Sequence, residues 1–108
     1  MLKEALKEYI SLLDKRLYFQ AHEILEEAWH PLRKSNHPLR NLVKGLINAS
    51  IAFEHIKRDR KNAKDKAQRV FIGYKKYKYI YSDNIKYHDL FAQAINRVEL
   101  IRESKNII

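Results

Sequence analysis

The sequence predicts an all-α protein, a compact antiparallel bundle of about five helices forming a single domain over residues 1–108. Three observations predict it. Only two glycines and two prolines interrupt 108 residues, and Leu, Ala, Glu and Lys, which favour helices, are abundant. Apolar residues recur at three- and four-residue spacing, the period of a helix with one buried face. The segments between these stretches are short, which favours antiparallel neighbours. A chain of this length buries roughly two-thirds of its unfolded surface, enough for one core without metal or disulfide staples.

Each element follows from its pattern. Residues 2–15 carry Leu2, Leu6, Tyr9, Ile10 and Leu13 on one face. A second helix covers about residues 17–30 and is expected to stop before Pro31, because proline lacks the amide that continues the ladder. "SNHP" reads as a helix start, with Asn36 or His37 at the cap and Pro38 in the first turn. That third helix runs to about Arg58, with Leu42, Leu46, Ala49, Phe53 and Ile56 on one side and small Gly45 and Ala52 on another, so it reads as central. A fourth spans about 61–81, with Val70, Phe71, Tyr74 and Tyr77 as its core residues, and "YSDN" breaks it. The fifth runs from about Ile85 to Ser104 on Tyr87, Phe91, Ala94, Val98 and Ile101.

Composition excludes several classes of function. With no cysteine there are no disulfide scaffolds, thiolate metal sites or cysteine nucleophiles. No signal-peptide pattern opens the chain, and the most apolar stretch, "GLINASIAF", is far shorter than the roughly 20 residues a spanning helix needs. A soluble cytoplasmic protein without membrane association is expected. No Gly-rich phosphate loop and no Ser-centred nucleophile elbow occurs, and no cofactor is expected. The net charge is +9, and residues 57–78, with ten Lys or Arg and two Asp, carry +8 of it.

The stretch "YFQAHEILEEAW", residues 18–29, raises the functional question. At about 100° per residue, Glu26 falls about 40° to one side of His22 and Trp29 about 20° to the other. Tyr18, Phe19 and Leu25 fall around them, which puts a titratable pair in the middle of an apolar stripe. A buried carboxylate or imidazolium must find a partner or change protonation state. A residue pair four apart is within reach on a helix, so Glu26 is expected to accept a hydrogen bond from His22. Asn48 and His55 on the third helix are candidates for the remaining ring nitrogen.

These residues carry a resemblance. "YFQAHEILEEAW" followed by "KGLINASIAFEH" resembles the small helical family known as domain of unknown function 309, marked by an HxxxExxW pattern and a following GLIQ-type helix. Tyr18, Phe19, Ala21, His22, Glu23, Leu25, Glu26 and Trp29 match the first block, and Gly45, Leu46, Ile47 and His55 the second, over about residues 15–70. Asn48 stands where the family usually has glutamine. A Gly-Asn turn after the third helix is Asp59-Arg60 here, and a later Gly-Ala is Ala63-Lys64. The resemblance implies an all-α bundle and no established activity.

Three functional readings stay open. In the first, the protein is a non-enzymatic structural or binding module in which the His22–Glu26 pair fixes helix register beneath Trp29. In the second, His22 and Glu26, with Asn48 or His55, form an acid–base site or give mixed N and O ligands (His22, Glu26, His55) for zinc, manganese or iron. A di-iron centre is excluded, since the paired Glu-x-x-His motifs are missing, and HExxH is absent because position 26 is glutamate. In the third, Lys57, Arg58, Arg60, Lys61, Lys64, Arg69, Lys75, Lys76 and Lys78, interleaved with tyrosines, bind nucleic acid. The same basic segment would equally suit an acidic partner protein.

Overall fold

The computed structural model describes residues 1–108 as five α-helices and no strands. They are α1 (Leu2–Asp14), α2 (Tyr18–Lys34), α3 (Arg40–Arg58), α4 (Ala63–Tyr77) and α5 (His88–Ser104), with a short 3-10 turn at Lys78–Ile80. No helix is long and apolar enough to cross a membrane.

α3 is the hub, as its nearly all-round apolar pattern predicts. Leu42, Val43, Gly45, Leu46, Ile47, Ala49, Ser50, Ala52 and Phe53 are all buried along it. α2 and α4 flank it, α1 lies against α2, and α5 closes the bundle on α1 and α3. Tyr18 meets Phe53 at one end of α2 and Trp29 meets Lys44 at the other, so α2 and α3 run antiparallel. Twenty-four buried residues form one contiguous core. α1 contributes Leu6, Tyr9, Ile10 and Leu13, and α5 contributes Phe91, Ala94 and Val98. The two buried hydroxyls on the α1–α3 side are satisfied by backbone. Tyr9 donates to the Leu46 carbonyl at 2.7 Å and Ser50 to the Ile47 carbonyl at 2.8 Å. Burial pushes the Tyr9 hydroxyl far above the ordinary tyrosine range.

Helix ends depart from the sequence expectation. α2 runs through Pro31 to Lys34. Pro31 and Glu27, whose carbonyl loses its partner, are both exposed, so solvent can satisfy the gap. α3 begins at Arg40 rather than beside Pro38, because His37 caps a turn instead: its Nδ1 accepts from the Leu39 amide at 3.0 Å, and its carbonyl accepts from Arg40. α4 tightens into the 3-10 turn after Tyr77, and α5 starts at His88, following Tyr87 in a left-handed conformation. The turn between α3 and α4 keeps left-handed residues at Asp59 and Asn62, a region that short polar side chains tolerate better than most.

Candidate functional site

α2 turns a different face inward from the one its aromatics suggest. Its buried residues are Tyr18, Ala21, Leu25 and Ala28, a stripe centred about 80° from His22. The small alanines let α2 sit close to its neighbours, while Phe19, expected inside, is 42% exposed. His22, Glu26 and Trp29 are therefore half-buried at the rim of the stripe.

The expected His22–Glu26 hydrogen bond does not form. The His22 Nδ1 lies 2.7 Å from the Phe19 carbonyl. A carbonyl only accepts, so Nδ1 carries a proton, and Nε2 makes no hydrogen bond within the protein. The imidazole packs edge-on to Phe19, ring centres 5.0 Å apart. Glu26 makes no hydrogen bond or ion pair and opens onto a shallow acidic cleft of about 470 Å³ with Glu8, Glu23 and Glu27.

Trp29 is the best-anchored member of the motif. Lys44 of α3 places its ammonium 4.5 Å from the ring centre, and the Arg33 guanidinium lies 5.2 Å away. Its Nε1 is enclosed with no hydrogen-bond partner. A second contact of this kind lies along the same edge, where Arg58 sits 5.4 Å from the Phe19 ring centre while paired with Glu54 at 2.6 Å. The motif thus lines the α2–α3 seam with aromatic rings under cations.

Asn48 and His55 do not complete a site around His22. The Asn48 amide packs over Gly73 of α4, so close that any side chain at 73 would collide with it. His55 is half-buried and makes no side-chain hydrogen bond. No group of three or more His, Asp or Glu side chains is placed to hold a metal ion, so the alternative ligand set His22, Glu26 and His55 is not assembled. The chain belongs to the family described as domain of unknown function (DUF309), which matches residues 6–66. The match contains His22, Glu26, Trp29, Asn48 and His55 and stops early in α4. No curated protein and no solved structure matches the chain.

The basic segment divides into engaged and free cations. Lys57 donates to the Arg16 carbonyl at 2.7 Å, Lys75 to the Ile108 carbonyl at 3.0 Å and Lys78 to Glu99 at 3.0 Å, and Arg58 is held by Glu54. Arg60, Lys61, Lys64, Lys66, Arg69 and Lys76 are exposed and free of such partners. Beyond the DUF309 match lies a network that sequence reasoning missed. Glu99 of α5 accepts from Tyr74 at 2.6 Å, from Lys78 at 3.0 Å and from Arg102 at 3.2 Å. Only the Glu99–Arg102 spacing, three apart on one helix, was visible in the sequence. Missed too was a cleft of about 540 Å³ at the end of the bundle, where Arg16, Lys57, Arg97 and Lys105 come together around Tyr18.

Proposed function

We propose that this DUF309 protein is a non-catalytic binding module of the cytoplasm, and that its HxxxExxW face fixes the packing of α2 on α3. The observation that carries this reading is the clasp on Trp29, whose ring lies under Lys44 from the facing helix and Arg33 from its own. A catalytic reading of the motif gains no comparable support. The His22 Nδ1 is committed to a backbone carbonyl, and Glu26 neither orients nor neutralises the ring. Trp29→Ala removes a large half-buried ring and its clasp, so a loss of about 2–4 kcal/mol is expected. Lys44→Met is expected to cost about 0.5–1 kcal/mol in the wild type and nothing in a Trp29→Leu background, since the cation–π contact is then gone. Urea unfolding of the wild type and the four variants measures both. Additive effects of the two substitutions would remove the clasp from the account.

The outer face of α4 favours a second reading, binding to single-stranded nucleic acid. Ile72 is 55% exposed and Tyr79 is 79% exposed among free lysines and arginines. Exposed apolar and aromatic surface beside unpaired cations suits stacked bases and phosphates. The same face would also suit an acidic protein, which the salt response and the role of Tyr79 separate from nucleic acid.

A further inference from the structure

The cleft at the carboxyl ends of α1, α3 and α5 holds more positive charge than the fold accounts for. Arg16 follows α1 in a left-handed conformation, Lys57 lies in the last turn of α3, and Lys105 caps α5. Cations at helix carboxyl ends are favourable, because the free carbonyls there carry partial negative charge. The Lys57 bond to the Arg16 carbonyl is such a contact. That explanation covers each cation alone and not their convergence. The Lys57 and Lys105 ammonium groups both stand over the Tyr18 ring, 5.9 and 5.4 Å from its centre. The only carboxylate lining the cleft, Asp14, is already paired with Arg97 at 3.1 Å. Four cations thus face one anion. The strain shows at Lys105, whose ammonium is held below the usual lysine range by burial and by the charges of Arg16 and Lys57.

The rest of the cleft is suited to a ligand with two chemical halves. Tyr18 is buried and lines the cleft, and its hydroxyl makes no hydrogen bond within the protein. Leu13, Leu100 and Ile101 supply an apolar wall. We propose that this cleft binds a phosphomonoester, with Arg16, Lys57 and Lys105 taking the phosphoryl dianion, the Tyr18 hydroxyl donating to it, and the organic part lying on Leu13, Leu100 and Ile101. The bound dianion would relieve the repulsion among the three cations, and guanidinium and ammonium donors suit phosphate oxygens. This site lies at the opposite end of α2 from Trp29 and apart from the outer face of α4.

The test is a titration of the ¹⁵N-labelled protein with phenyl phosphate and, separately, with inorganic phosphate, at constant ionic strength. Saturable amide shifts confined to Arg16, Tyr18, Lys57 and Lys105 and their neighbours are expected, with phenyl phosphate binding at least fivefold more tightly. Lys105→Gln and Arg16→Gln should each weaken phenyl phosphate tenfold or more while the circular dichroism melt stays cooperative. Lys64→Gln, on the outer face of α4, should leave the affinity unchanged. Equal affinity for the two ligands would overturn the assignment of the apolar wall. Shifts spread over α4, or an equal loss in Lys64→Gln, would reduce the effect to general charge attraction and overturn the site itself. Two cleft variants guard against one of them failing to fold.

Discussion

Glu99 gathers three donors from two parts of the chain, and its chemistry is decided by a contest of opposing effects. Burial pushes its carboxyl up, but hydrogen bonds from Tyr74 and Lys78 and the charges of Lys78 and Arg102 outweigh this and hold it below the usual carboxylate range. Burial, together with the same contact, raises the Tyr74 hydroxyl well above its ordinary range, so it stays a donor. A folded-state pKa below the unfolded one means stability that is present above the unfolded value and lost as pH falls through the folded one. Glu99→Gln should therefore melt at a lower temperature than the wild type at pH 7. The gap should narrow as pH falls through the carboxylate range and close below it, where Glu99 itself is neutral. Thermal melts at pH 7, 5 and 3 measure this, and a gap that stays constant with pH would show that the charge on Glu99 is not what matters.

Among the helices, α3 and α4 pack against each other most extensively, and two glycines lie at their contact. A Cβ added at Gly45 would lie 3.4 Å from both the Tyr74 Cα and the Tyr77 Cβ, in contact without collision. At Gly73 an added Cβ would lie 3.2 Å from the Asn48 Cγ and far closer to its amide nitrogen. Glycine within a helix costs roughly 1 kcal/mol relative to alanine, so Gly73→Ala carries a gain that the displacement of Asn48 opposes. The expectation is a near-neutral Gly73→Ala in the wild type and a gain of about 1 kcal/mol in an Asn48→Ala background, read from denaturant midpoints as a double-mutant cycle. A full gain with Asn48 present would mean the amide moves aside freely. The same helices show what was legible in the sequence and what was not. Stripes such as Phe91, Ala94 and Val98 could be read directly, because each buried position repeats the helical period. The inward face of α2 could not, because Ala21 and Ala28 are buried by close packing while the larger Phe19 is left outside under Arg58. Helix ends were misplaced where a side chain or exposed backbone supplied the missing partner, as at His37 and Pro31. The Glu99 network and the Arg16–Lys57–Lys105 cleft join residues far apart in the chain, and no local pattern announces them.

Across the whole molecule, the net charge of +9 is not one undivided field. Part of the positive charge is gathered in the end cleft, and part is paired with Glu99 and Glu54. What remains free on one side is Arg60 and Lys61 in the turn before α4, and Lys64, Arg69 and Lys76 on its outer face. Lys64, Arg69, Ile72 and Lys76 fall within an arc of about 140°, and the exposed Tyr79 follows at its end. If this face binds single strands, its five free cations set the salt response, with a slope of log K against log salt of about −3.5. Replacing Lys64 and Arg69 with glutamine should flatten that slope by about 1.4, whereas Lys78→Gln, whose charge is tied to Glu99, should leave it unchanged. Tyr79→Ala should cost about 1–3 kcal/mol of binding with no change in slope, because stacking releases no counterions. Fluorescence anisotropy of a labelled poly-uridine strand from about 20 to 200 mM salt covers the range in which such contacts weaken. A strand that fails to bind at the low end, or a slope indifferent to Lys64 and Arg69, would leave the outer face of α4 a solvated surface.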